Sequence, residues 1–121
     1  MSSLRLERRD GVPVALPEGD IDAANAVQLG EELVDAAGVD VVHLVLDLAG
    51  VRYLDSSGIE MLFRLGERLQ QRRGALCLVI PPGSNIARLV DIVGLPTVAP
   101  VHATVEQALS ECAGDPSAAG F

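Results

Sequence analysis

Hydrophobic positions change their spacing several times along the chain, and each change marks an element. "LRLERR" (4–9) alternates apolar and polar residues, and "VPVAL" (12–16) resumes after Asp10-Gly11, a pair that favours a two-residue hairpin turn. Two short strands are predicted, with Pro13 marking an irregularity or an edge in the second, because proline cannot donate to a ladder. Over 20–38 ("DIDAANAVQLGEELVDAAG") the spacing becomes helical. Ala26, Leu29, Leu33 and Ala37 share one face, Gly38 stops the helix, and Asp22 is placed to cap it. "VVHLVLDL" (41–48) is nearly unbroken in apolar residues, as a strand covered on both faces is. "RYLDSSGIEMLF" (52–63) then joins a strand end to an apolar, helix-like run.

That run continues as an amphipathic helix over 57–74, ending in Arg72-Arg73-Gly74, a favourable C-terminus for the helix dipole. "ALCLVI" (75–80) is a further buried strand, broken by Pro81-Pro82-Gly83. Ser84 caps a third helix with Ile86, Leu89, Val90 and Val93 inward and Gly94 and Pro96 closing it. "TVAPVH" (97–102) reads as a weak strand and "TVEQALSEC" (104–112) as a last short helix. The order β-β-α-β-α-β-α-β-α places the chain in the α/β class. It implies a single mixed β-sheet of about five strands, parallel in its later part, with about four helices packed on it. At 121 residues the expectation is one domain over 1–112, with 113–121 ("AGDPSAAGF") as a flexible C-terminal tail.

Composition sharpens this picture. Hydrophobic residues make up 49% of the chain but aromatic ones only 2%, so the core must be aliphatic. The net charge of −8 repels phosphate backbones and anionic headgroups, which disfavours nucleic acid and membrane surfaces as partners. One Tyr, two Phe and no Trp leave little to stack on bases. No apolar run approaches the ~20 residues needed to span a bilayer, and the first residues lack the apolar region of a signal peptide. A cytoplasmic location without membrane insertion is expected. Cys77 and Cys112 have no CxxC spacing and read as small buried hydrophobes in a reducing compartment.

Signatures of catalysis are sparse. The chain has no Gly-x-Ser-x-Gly elbow, Walker A sequence or GxGxxG turn. His43 sits inside a strand and reads as a packed, hydrogen-bonded residue, and His102 has no evident partners. No cofactor or metal site is expected, and no general base is visible to make Ser56 or Ser57 a nucleophile. An enzyme is the weakest reading.

Asp55-Ser56-Ser57-Gly58 has two readings. Ser57-Gly58-Ile59-Glu60 matches Ser-x-x-Glu, the capping box, which would make Ser57 structural and leave the Ser56 hydroxyl free in the turn. Asp55 as the cap stays open, because a helix boundary shifts easily by a residue. Alternatively, the junction is where another protein writes a phosphate, an anion that a helix N-terminus tolerates. Such a group adds about −1.5 to −2 charge at pH 7 and can disrupt a docking face without remodelling the fold. In the following helix, Ile59, Met61, Leu62, Phe63, Leu65 and Leu69 cover an arc of about 200°, wider than core burial requires. Met61 and Leu65 lie toward its rim beside Arg68. They either pack on neighbouring core or form an adaptable patch for a partner. Gly58, Met61, Leu65 and Arg68 are thus the candidate docking residues.

"LDLAGVRYLDSSGIEML" (46–62) resembles the strand–Asp-Ser-[Ser/Thr]-Gly–helix segment of STAS domains, specifically stand-alone anti-sigma factor antagonists of the bacterial partner-switching type. "GDIDAANAVQLGEEL" (19–33) is similar to the Gly-Glu-Leu/Ile-Asp segment that opens the family's first helix, and "IARLVDIVGL" (86–95) to its Arg-Leu-…-Gly-Leu segment. The resemblance implies that the unphosphorylated chain binds an anti-sigma factor that is also a serine kinase, releasing a sigma factor. It implies that the kinase, holding the ATP, phosphorylates Ser56 (Ser57 being the alternative) and that a PP2C-type phosphatase reverses it. Asp22 and Asp55 match the family's acidic positions beside the phosphoacceptor. Glu60 departs from a Gly-Leu-Gly run common in the family, and Asp20 replaces its usual Glu. Two related roles compete: a scaffold subunit of a stress-sensing assembly, and a small cytoplasmic partner of a lipid-transport ATPase. The short acidic chain suits a monomer when free.

Overall fold

The computed structural model describes residues 3–38 and 43–112. Its first strands, β1 (Ser3–Arg9) and β2 (Val12–Ile21), form an antiparallel hairpin. The turn is made by Asp10 and Gly11, with φ of 55° and 79°, the left-handed backbone that this dipeptide accepts readily. β2 is ten residues long, twice the expected segment, and is central rather than an edge. Pro13 is accommodated because β3 joins β2 only at Val14 and Ala15, beyond the proline. The irregularity falls instead at Gly19/Asp20, where the register shifts.

Helix α1 (Ala26–Ala37) leads to β3 (His43–Asp47), β4 (Val51–Leu54) and α2 (Ser56–Gln71). Then come β5 (Ala75–Val79), α3 (Asn85–Ile92), a 3₁₀ turn (Leu95–Thr97), β6 (Val101–His102) and α4 (Val105–Cys112). The described residues therefore hold six strands and four helices in one mixed sheet, ordered β1-β2-β3-β5-β6. β4 continues past β3 along the distal half of β2, so one long strand carries two short parallel partners. β4 was not counted from the sequence, because Val51 and Leu54 are buried but Arg52 and Tyr53 are exposed, too short a pattern to show a period. Most of "TVAPVH" forms the 3₁₀ turn and a loop, leaving only Val101–His102 as strand.

Both faces of the sheet are covered, which explains the continuous apolar runs. Leu44 and Leu46 of β3 and Leu76 and Leu78 of β5 face α1, α2 and α3. Val45, Cys77 and Val79 face Ala108 and Leu109 of α4. The α1 stripe is as predicted, with Ala26, Leu29, Leu33 and Ala37 buried. In α3, Ile86 and Val90 are buried, but Val93, the residue just past its end, is exposed. Cys77 is buried as expected, yet it is disulfide-bonded rather than a free thiol. Spacing along a sequence does not show which thiols a fold brings within bonding reach, so the inference of a reducing compartment loses its support. The side chain of Cys112 and residues 113–121, the expected tail, lie outside the described residues.

Candidate functional site

The site lies beyond the carboxyl ends of two neighbouring parallel strands, the usual position for function in such sheets. Ile21 of β2 and Leu54 of β4 are register partners, so the residues that follow them, Asp22 and Asp55, emerge side by side. The Asp55 amide donates to Ile21 O at 3.2 Å, tying the start of α2 to the end of β2.

Asp55 is the N-cap of α2. Its extended backbone lets Oδ1 accept from the amides of Ser57 at 2.9 Å and Gly58 at 3.1 Å, satisfying two donors that the first turn leaves open. The capping box expected at Ser57 does not form. The helix begins two residues earlier than that motif requires, and Glu60 pairs instead with Arg64 at 3.0 Å, one turn along the exposed face. Ser56 is exposed and Ser57 half-buried, and neither hydroxyl makes a hydrogen bond to another described residue. Both serines are therefore free of capping duty.

Asp22 caps a turn rather than α1. Its Oδ1 accepts from Ala24 N at 3.0 Å, while its carbonyl accepts from Ala26 N at 2.8 Å. Asn25, which sequence reasoning missed, fixes this loop: its Oδ1 accepts from Asp22 N and its Nδ2 donates to Asp20 O. Asparagine just before a helical stripe is the signal that could have found it.

The structure places the four candidate docking residues differently from one another. Gly58 is buried where a Cβ would press on Leu54 and on Ile21, 2.9 Å from Ile21 Cγ2, so its lack of a side chain serves close packing of α2 on the strand ends. Met61 and Leu65 are not on an exposed rim; they are 9% and 3% exposed, packed into the core, because α1 lies against that side of α2. Arg68 is exposed in the last turn. What the surface offers instead is a groove of about 490 Å³ between α1 and α2. Met61 and Leu65 lie in its lining, Val27 stands 75% exposed beside it, and Ser57 borders it. Glu31 and Asp35 of α1 and Arg64 and Arg68 of α2 also line it. A shallow hollow beside Ser56 is lined by Ile59 and Phe63. Val27 was missed, although its place off the α1 stripe marks it as an outward apolar residue.

The histidines stand apart from this site. His43 opens β3 at the other end of that strand path and is half-buried, and its Nδ1 makes no hydrogen bond, contrary to the hydrogen-bonded reading. His102 is buried, with Nδ1 3.6 Å from Glu111 Oε1. Among the described residues no helix is long and apolar enough to cross a membrane, and no cluster of three or more His, Cys, Asp or Glu side chains could hold a metal ion.

The chain is similar to known proteins over most of its length. The putative anti-sigma factor antagonist BtrV of Bordetella bronchiseptica is 29% identical over 106 residues, covering 87% of this chain and 90% of the relative. The anti-sigma-F factor antagonist RsfA of Mycobacterium tuberculosis is 29% identical over 107 residues, covering 87% of this chain and 83% of the relative. Among solved structures, an anti-sigma factor antagonist from Mycobacterium paratuberculosis superposes with a TM-score of 0.82 at 26% identity, covering 93% of this chain and 95% of that one. The STAS domain pattern itself matches residues 3–108, nearly every described element, and the chain belongs to the STAS domain family.

Proposed function

We propose that this chain is an anti-sigma factor antagonist that works by partner switching. Unphosphorylated, it binds an anti-sigma factor that is also a serine kinase, and so releases a sigma factor to direct transcription. The kinase, with its own ATP, phosphorylates Ser56 and ends the association; a PP2C-type phosphatase restores it. These partners place its work in the cytoplasm.

The observation that carries this reading is the division of labour at the start of α2. Asp55 supplies the cap, so the exposed Ser56 hydroxyl beside it is left with no structural task. The same arrangement explains why a phosphate would act as a switch. Asp55 already occupies the Ser57 and Gly58 amides, which would otherwise receive an anion. A phosphate on Ser56 therefore adds its charge beside a carboxylate rather than being neutralised by those amides, and a docked partner meets accumulated negative charge. Ser57, turned toward the α1–α2 groove and half-buried, is the poorer substrate. The hollow of Ile59 and Phe63, the exposed Val27 and Arg68 supply the docking face around it.

Affinity capture from native cells with the wild-type chain, Ser56→Ala and Ser56→Asp tests this. A serine kinase with anti-sigma activity is expected on the first two baits and depleted about tenfold or more on the third, as a misplaced interfacial charge requires. Equal capture by Ser56→Asp contradicts the switch. Recovery of a membrane ATPase or a large assembly in place of the kinase favours the transport-partner or scaffold role.

A further inference from the structure

We propose that the free edge of β1 pairs with the β1 of a second copy of this chain, antiparallel and centred on Leu6. Among the described residues β1 has β2 on one side and no strand on the other, so its outward amides and carbonyls are open to a further strand. Leu6, the middle residue of the strand, is 53% exposed. Alternation puts Leu4, Leu6 and Arg8 on the α1 face, where Leu4 packs on the core. It puts Arg5, Glu7 and Arg9 on the α4 face, where Arg9 reaches Glu106 at 3.3 Å.

The identity of the occupant follows from the register. Charged side chains on an edge normally block pairing. In a two-fold pair, facing residues must share a face, so the register can shift only in steps that keep this match. With Leu6 opposite Leu6, Arg5 lies opposite Glu7 of the second copy and Glu7 opposite its Arg5. All seven residues of the strand then pair. One step in one direction sets Arg5 against Arg5, and one step in the other sets Glu7 against Glu7. Only the Leu6-centred register pairs opposite charges without also setting like charges against each other, and opposed charges directly across a ladder are stabilising where like charges are not. The alignment also sets Arg8 of the second copy opposite Leu4, on the face of a groove that Leu4 and Leu6 share with Asp22, Glu32 and Asp35 and that has no cationic lining residue. In the single molecule Arg5 and Glu7 reach each other along their own strand, at 3.6 Å, and both are exposed.

Sedimentation of the full chain over a wide range of concentration tests the pairing, with circular dichroism to verify folding. The wild type is expected to show a monomer–dimer equilibrium. Glu7→Arg and Arg5→Glu, taken singly, are expected to raise the dissociation midpoint about tenfold or more, since each creates two like-charge contacts. The double variant, with the charges exchanged, restores the wild-type midpoint. A wild type that stays monomeric throughout overturns the proposal. So does a dimer that both single reversals leave unchanged, or one that the exchange fails to rescue.

Discussion

Asp55 Oδ1 accepts the two amides that begin α2, so Asp55→Ala leaves both without a side-chain partner. The expected cost is about 1 kcal/mol, seen as a lowered Tm in thermal denaturation. Ser57→Ala, by contrast, is expected to change stability by less than about 0.5 kcal/mol. If the two results were reversed, the capping role assigned to Asp55 would be wrong. Gly58→Ala presses a methyl group onto Leu54 and Ile21 and is expected to cost about 1–3 kcal/mol by overpacking. At this scale the capping-box pattern pointed to Ser57, with Asp55 as the alternative, and the structure gives the cap to Asp55. Asp55 and Ser57 are both good N-cap residues two positions apart, and the choice depends on how the end of β2 holds the Asp55 amide, a contact between distant segments.

Helices were the more legible elements. The buried residues of α1 repeat at helical spacing with little interruption, and Ser84 caps α3 through Ala87 N as the residue type suggests. Strands were harder. β2 passes through Pro13 and Pro17, which local preference rejects, because β1 pairs along one side of it and two separate strands share the other. β4 has four residues, too few for alternation to show. The wide apolar arc of α2 was visible, but which part of it α1 covers was not, and that decides the fate of Met61 and Leu65. Leu65→Ala is therefore expected to cost about 2–5 kcal/mol in chemical denaturation, as a core truncation does. Val27→Asp is expected to leave stability within about 0.5 kcal/mol while weakening capture of the kinase. A stable, fully binding Val27→Asp variant would remove the α1–α2 groove from the docking face.

Over the whole molecule the net charge of −8 makes each carboxylate's setting matter to acid stability. Glu106 has a pKa held below its ordinary 4.5, chiefly by its own backbone amide and by the Arg9 side chain that joins β1 to α4. A lowered folded-state pKa contributes stability above the unfolded value, and that contribution is lost as pH falls through the folded one. Glu106→Gln should therefore make the acid-side loss of stability below pH 4.5 shallower, with little change in its pH dependence near neutrality. An unchanged acid limb would show that neither the backbone amide nor Arg9 holds the Glu106 carboxyl down in solution.

The central claim is that Ser56 is the switch. Intact-mass measurement with peptide mapping, on protein taken from its native cells before and after phosphatase treatment, tests it most directly. The account predicts one removable phosphate, on Ser56, in part of the population. Phosphate confined to Ser57, or absent under every growth condition, would contradict it.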